Sequence, residues 1–139
     1  MVRLAALAVS TFACLLAAAA FGAQGATPSA VPNCLGKPVV EPTDVVLACA
    51  DAGAGVRGIH WLGWGSPRAA GLGTAFANDC SPTCVAGHVH TYQAVLVLSG
   101  SQRCAGRSVY AEAAVAIVGR PPQAWATAAD ASYRLRCAG

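Results

Sequence analysis

His90-Thr-Tyr-Gln-Ala-Val-Leu-Val-Leu-Ser99 sets Tyr92, Ala94, Leu96 and Leu98 on one side and Gln93, Val95 and Val97 on the other. That period of two is the signature of a pleated strand. Downstream, residues 100–106 turn the chain and residues 108–118 run back as a second strand. Upstream, residues 71–78 alternate Leu72, Thr74 and Phe76 with small residues, among them Gly71 and Gly73. Glycines inside a strand let a ring or another backbone approach closely. Residues 56–61 form a further strand, with Ile59 and Trp61 on one face, and residues 63–67 break it. The apolar run 44–50 predicts a strand buried on both faces, followed by a turn over 51–55. At the C-terminus Tyr133, Leu135 and Cys137 point inward and Arg134 and Arg136 outward.

About six strands without long helical patterns predict an all-β fold, a small disulfide-stapled antiparallel β-sandwich or partly open barrel. The rival is an alanine-driven helix over 111–118 or 123–131, because Ala is the best helix former. The period-two pattern and the bounding cysteines keep the first as strand, and the second reads as loop through Trp125. No internal repeat or low-complexity linker interrupts the chain.

Met1-Val2-Arg3 is a short basic start, followed by an apolar run to Phe21 and a crowd of small residues up to Ala26. Those are the three regions of a secretory signal peptide. Residues 1–25 are therefore read as leader, with cleavage between Gly22 and Ala26. An uncleaved anchor is disfavoured by the Ala-rich run ending in Gly, and lipidation at Cys14 by the absence of Leu three residues before it. Residues 26–43, with Pro28, Pro32, Pro38 and Pro42, read as an extended entry segment, and 44–139 as a single β domain.

Charged residues are only 11% of the 139, and 55% are hydrophobic, which excludes wholesale disorder. Nine basic residues oppose six acidic ones, and loss of Arg3 lowers the net charge by one to +2. The arginines are scattered along the chain, so neither nucleic acid nor an anionic membrane surface is indicated. Seven cysteines less Cys14 leave Cys34, Cys49, Cys80, Cys84, Cys104 and Cys137. An even number in an exported domain of this size is a disulfide framework. Pro82 bends the Cys80–Cys84 loop and brings its thiols within reach. Cys34 and Cys49 flank a segment that can close on itself, which leaves Cys104 with Cys137 to tie the last strand to the preceding hairpin.

Cys80-x3-Cys84-x3-His88-x-His90 is the sharpest chemical constellation, because two thiolates and two imidazoles can surround zinc tetrahedrally. Oxidation of Cys80 and Cys84 removes both thiolates, so export argues against metal, and no cofactor is expected. A weaker set joins His88 and His90 to Asp79 or Glu112. For nucleophilic catalysis Ser66 lacks the G-x-S-x-G elbow, since Pro67 and Arg68 follow it, and no free thiol remains. Asp44 and Asp51 flank one strand and do not oppose each other across a cleft as glycosidase acids must. Trp61 and Trp64 point to opposite faces unless Gly63 introduces a bulge, which predicts one core ring and one partly exposed ring. No catalytic residue is therefore assigned.

Leu47-Ala-Cys-Ala-Asp-Ala-Gly53, Ile59-His-Trp-Leu-Gly-Trp-Gly65, Ala70-Gly-Leu-Gly73 and Asn78-Asp-Cys-Ser-Pro-Thr-Cys84-Val-Ala-Gly87 occur in that order. In this combination the chain resembles uncharacterised small secreted proteins of high-GC actinobacteria. Those share a Cys-Ala-Asp strand, a Trp-x-x-Trp-Gly segment and an Asn-x-Cys-x-Pro-x-Cys-Ala-x-Gly loop, and Val85 stands where the pattern usually has Ala. The likeness covers roughly residues 34–118 and Cys137. It implies secretion and a disulfide-stapled β domain, and it brings no activity, substrate or site residues.

The expectation is an exported, non-catalytic extracellular β domain, a binding or structural module for a protein or glycan partner outside the cell. One alternative is a secreted protease inhibitor, using the Cys80–Cys84 loop or residues 119–127. Another is a metal-dependent enzyme using His88 and His90.

Overall fold

The computed structural model describes residues 27–119 and 132–137, and every regular element in them is a strand. The predicted leader and the segment 123–131 with Trp125 lie outside the described residues. In chain order the strands are β1 (Val31–Pro32), β2 (Pro38–Val39), β3 (Val45–Val46), β4 (Ala54–Gly63) and β5 (Ala69–Asn78). They continue as β6 (Val89–Ser99), β7 (Gln102–Cys104), β8 (Arg107–Val109), β9 (Glu112–Ile117) and β10 (Ser132–Arg134). Six of them form one antiparallel sheet in the order β10-β9-β6-β5-β4-β3, curled into a half-barrel. The β1–β2 and β7–β8 hairpins complete the fold.

Strand β6 lies inside the sheet, and its predicted faces are the observed ones. Ala94, Leu96 and Leu98 are fully buried in the concave core, while Gln93 is exposed. Val56, Ile59, Ala69, Ala75, Tyr110, Ala113, Val115 and Leu135 join them. A second small cluster sets Ala30, Cys104 and Val109 under the β7–β8 hairpin. On the convex face Phe76 is shielded by Arg57, whose guanidinium carbon sits 3.9 Å from the ring centre.

Four expectations change. The run 44–50 holds only the two-residue edge strand β3, because Leu47 N and Ala48 N both turn back to Ala54 O at 2.9 and 3.2 Å. Residues 100–106 are not a simple turn, and the strand expected over 108–118 divides into β8 and β9. Of the entry segment 26–43, the described residues 27–43 pair among themselves through Val31↔Val39 and bury Val31 in the main core, so they pack as part of the domain. Finally, β4 slips register against β5 between Arg57 and His60 and again between Trp61 and Gly63.

The second irregularity decides the tryptophans. It brings Trp61 and Trp64 edge to face with centroids 4.5 Å apart, and both pack on the core. The prediction of one core ring and one partly exposed ring assumed an unbroken strand; with the slip, both rings are half-buried. Trp61 Nε1 donates to Pro42 O at 2.9 Å and Trp64 Nε1 to Ser29 O at 3.2 Å, so both polar ends are satisfied. Gly71 makes room for the pair: a Cβ there would sit 2.6 Å from Ile59 Cγ2 and 3.0 Å from Trp61 Cε3.

All three predicted disulfides are present: Cys34–Cys49, Cys80–Cys84 and Cys104–Cys137. Among the described residues no helix is long and apolar enough to cross a membrane. The bridges are compatible with an oxidising, extracytoplasmic compartment.

Candidate functional site

Two regions gather chemistry-bearing side chains. The first is a knuckle between β5 and β6, built on Asn78 and Asp79. Short side chains ending in a carbonyl or carboxylate bond backbone amides two residues on, which stabilises tight turns. Asn78 Oδ1 accepts from Cys80 N at 2.9 Å, and Asn78 Nδ2 donates to Cys84 O at 2.7 Å. Asp79 Oδ1 accepts from Ser81 N at 3.1 Å and from His88 N at 2.9 Å, while Asp79 N donates to His88 O at 3.0 Å. Thr83 Oγ1 accepts from Ala86 N at 3.2 Å inside the loop.

The other Asp79 oxygen, Oδ2, faces His90 Nε2 at 3.0 Å. The imidazole hydrogen bond, then the His88 and Ser81 amides, hold the Asp79 carboxyl at about 2, below its ordinary value of 3.8. His90 is thus engaged by a carboxylate. His88 is exposed, and its backbone serves as the anchor. The candidate set of Cys80, Cys84, His88 and His90, which the sequence argued against as a metal site, is not the one that converges. Asp51, from the turn before β4, is the third member of the cluster, with its carboxylate and the Cys80 and Cys84 sulfurs all within 4.8 Å of one another. Asp51 lies twenty-nine residues before Cys80, and only the antiparallel β4–β5 register (Ala54↔Ala77) brings it there.

The second region lies where the half-barrel stays open. A cleft of about 500 Å³ separates the β3 side, lined by Val46, Leu47, Cys49 and Ala50, from the β10 side, lined by Arg134, Leu135 and Arg136. A neighbouring cleft of about 480 Å³ shares Arg134 and Arg136 and adds Arg103, Gln102 and Glu112. Arg103 and Arg136 each precede a cysteine of the Cys104–Cys137 bridge, so the bridge itself draws them together. Glu112, the register partner of Arg134, is the one carboxylate in the lining of the two clefts. Gln102 Nε2 donates to Leu135 O at 2.7 Å and to Tyr110 O at 3.3 Å, fixing the floor. Linear reading missed this region because Arg103 and Arg134 are far apart in sequence; the signal was Arg-Cys at positions 103–104 and again at 136–137.

A third cavity of about 360 Å³ between the β1–β2 hairpin and β3 is lined mainly by apolar groups, among them Val31, Val39 and Val45. Asp44, which also lines it, is occupied: its oxygens accept from Gly58 N at 3.1 Å and Thr43 Oγ1 at 3.1 Å.

Comparison with models of protein families, with curated proteins and with solved structures finds no match to this chain.

Proposed function

We propose that the chain is an exported, disulfide-stapled binding module that takes an extended anionic ligand along the β10 edge. The observation that carries this reading is the gathering of Arg103, Arg134 and Arg136 on two adjoining clefts with a single carboxylate among them. Surface arginines present planar forks that pair with carboxylate, sulfate or phosphate groups, and a patch of one sign raises the local concentration of the opposite charge. Clefts of this size accommodate one or two ligand groups, and the mouth of an open barrel is a recurrent binding position. The three bridges and the expected leader support action outside the cytoplasm.

The test is retention of the disulfide-bonded protein on sulfated, carboxylated and neutral polysaccharide columns, beside the double variant Arg134→Glu/Arg136→Glu. Salt-sensitive retention on the acidic columns that the variant loses supports the proposal. Equal behaviour of the two proteins, or retention on the neutral column alone, removes it. The inhibitor reading keeps one specific support, the bridged and hydrogen-bonded 80–88 loop with Val85 fully exposed at its tip. Stoichiometric inhibition of a subtilisin- or trypsin-like protease would favour it, and digestion or inertness would remove it.

A further inference from the structure

We infer that the convex face of the sheet, across β4, β5, β6 and β9, is a self-association surface on which a second copy of the chain stacks face to face. The strand registers lay two rows of side chains next to each other on that face. One row is His60, Leu72, Val95 and Ala116, and the next is Gly63, Ala70, Val97 and Ala114. Neither row holds an Arg, Lys, Asp or Glu, and His60 is their one polar side chain. Leu62 and Leu72 are 67% and 45% exposed, and Ala114 and Ala116 are exposed as well.

An antiparallel sheet with one face in water alternates apolar and polar residues along each strand. Strand β6 abandons that rule over Ala94-Val-Leu-Val-Leu98, where both faces are apolar. The inward Ala94, Leu96 and Leu98 build the core, whereas Val95 and Val97 belong to neither core cluster of the described residues. Packing among those residues therefore does not account for them. A contiguous apolar patch on a solvent face marks an interaction site.

Charge, shape and area select a second copy as the occupant. The chain is net positive, so two copies can approach closely only through a face without charge, and these rows provide one. Sheets stacked face to face keep their strand directions within about 30° of each other. A two-fold axis running along the strands between β5 and β6 lays β4 of one copy over β9 of the other, and β5 over β6. In that arrangement Val97 of each copy meets the small Ala70 of the other, and Leu62, at the β4 edge, meets Ala114. Large side chains thus oppose small ones. Arg57 and Glu112, at opposite ends of the band, fall on the rim, where interfaces carry their charge. Four strands about 4.8 Å apart and eight residues at about 3.4 Å each span roughly 19 by 27 Å. Two such faces cover about 1,000 Å² between them, the lower bound for a specific interface.

The arginine clefts lie at the β3 and β10 edges, outside this face, so the inference stands or falls separately from the proposed ligand. The experiment is sedimentation equilibrium of the exported, disulfide-bonded protein from micromolar to millimolar concentration, at low and high salt. A monomer–dimer equilibrium that salt does not weaken is the expected result, because the covered rows carry no charge. Val97→Lys and Ala114→Lys should each raise the dimer dissociation constant about tenfold or more, since each buries an unpaired ammonium. Ala114 is exposed in the monomer, so its variant decides the matter should Val97→Lys unfold by circular dichroism. Val85→Lys adds the same charge at the exposed tip of the 80–88 loop and should leave the dimer as it is. A monomer throughout, open-ended association in place of a dimer, a dimer that Ala114→Lys retains, or one that Val85→Lys disrupts equally would each overturn the inference. So would a dimer that salt dissolves and Arg134→Glu/Arg136→Glu abolishes, which would place the contact at the clefts.

Discussion

His90 Nε2 and Asp79 Oδ2 meet at 3.0 Å across the mouth of the β5–β6 connection, on a carboxylate whose other oxygen already holds two backbone amides. A carboxyl depressed to about 2 from 3.8 stabilises the folded state above its unfolded value. That contribution is fully present above about pH 4 and is lost as the pH falls through about 2. Urea unfolding between pH 5 and pH 2 should therefore show the native chain losing stability more steeply than Asp79→Asn in that window. Parallel pH profiles for the two proteins would show that the contact contributes nothing to this acid sensitivity.

Gly87 is the position at which the knuckle tolerates no side chain. A Cβ there would overlap Asn78 Oδ1 and lie 2.8 Å from both Asp79 Oδ1 and Cys80 N. The blocked atoms are two acceptors and one donor of the loop bonds, so relief cannot come from a free side-chain end. Gly87→Ala should cost about 1–3 kcal/mol, the usual range for overpacking a tight site. Faster amide exchange at Cys80 and His88 should accompany the lower urea midpoint, and an unchanged midpoint would contradict the reading.

Much of the sheet was legible because its signal is local. The alternation of Tyr92, Ala94, Leu96 and Leu98 needs only neighbouring residues, and so does that of Tyr133, Leu135 and Cys137. The disulfide pairs followed from spacing and the even count. Illegible features depend on register across strands. Trp64 joins Trp61 only because β4 slips between Trp61 and Gly63, and Asp51 reaches Cys80 only through the β4–β5 ladder. Scattered arginines became a patch for the same reason: the bridge that joins Cys104 to Cys137 also joins their neighbours. The run 44–50 misled because apolar composition does not reveal where a backbone turns back to bond Ala54.

Trp61 measures how far the aromatic group carries the core. Its ring touches Trp64, its Nε1 is bonded to Pro42 O, and Gly71 has no Cβ so that the ring can lie against β5. Trp61→Ala should cost about 3 kcal/mol or more, the lower end for large aromatic truncations because the ring is only half-buried. A cost below about 1 kcal/mol in urea unfolding would mark the ring as a surface contact. Tyr110→Phe tests the adjoining hydrogen bond, in which the phenol donates to Ser66 O at 2.9 Å from a fully buried ring. Its expected cost is about 1 kcal/mol.

Removing the Cys104–Cys137 bridge separates its two roles. It closes 33 residues of sequence, and the chain-entropy account assigns it about 3–4 kcal/mol. The paired variant Cys104→Ala/Cys137→Ala should melt well below the native protein. Because Arg103 and Arg136 adjoin the bridge, the same variant should also lose retention on acidic polysaccharide at temperatures where it is still folded. Restoring stability with a moderate concentration of an excluded osmolyte such as sucrose should recover the fold. It should not recover the retention, since no cross-link then brings the two arginines together. Full recovery of both would show that the strand pairings, β10 on β9 through Tyr133↔Ala113 and β7 on β8 through Arg103↔Ser108, place the arginines without the bridge.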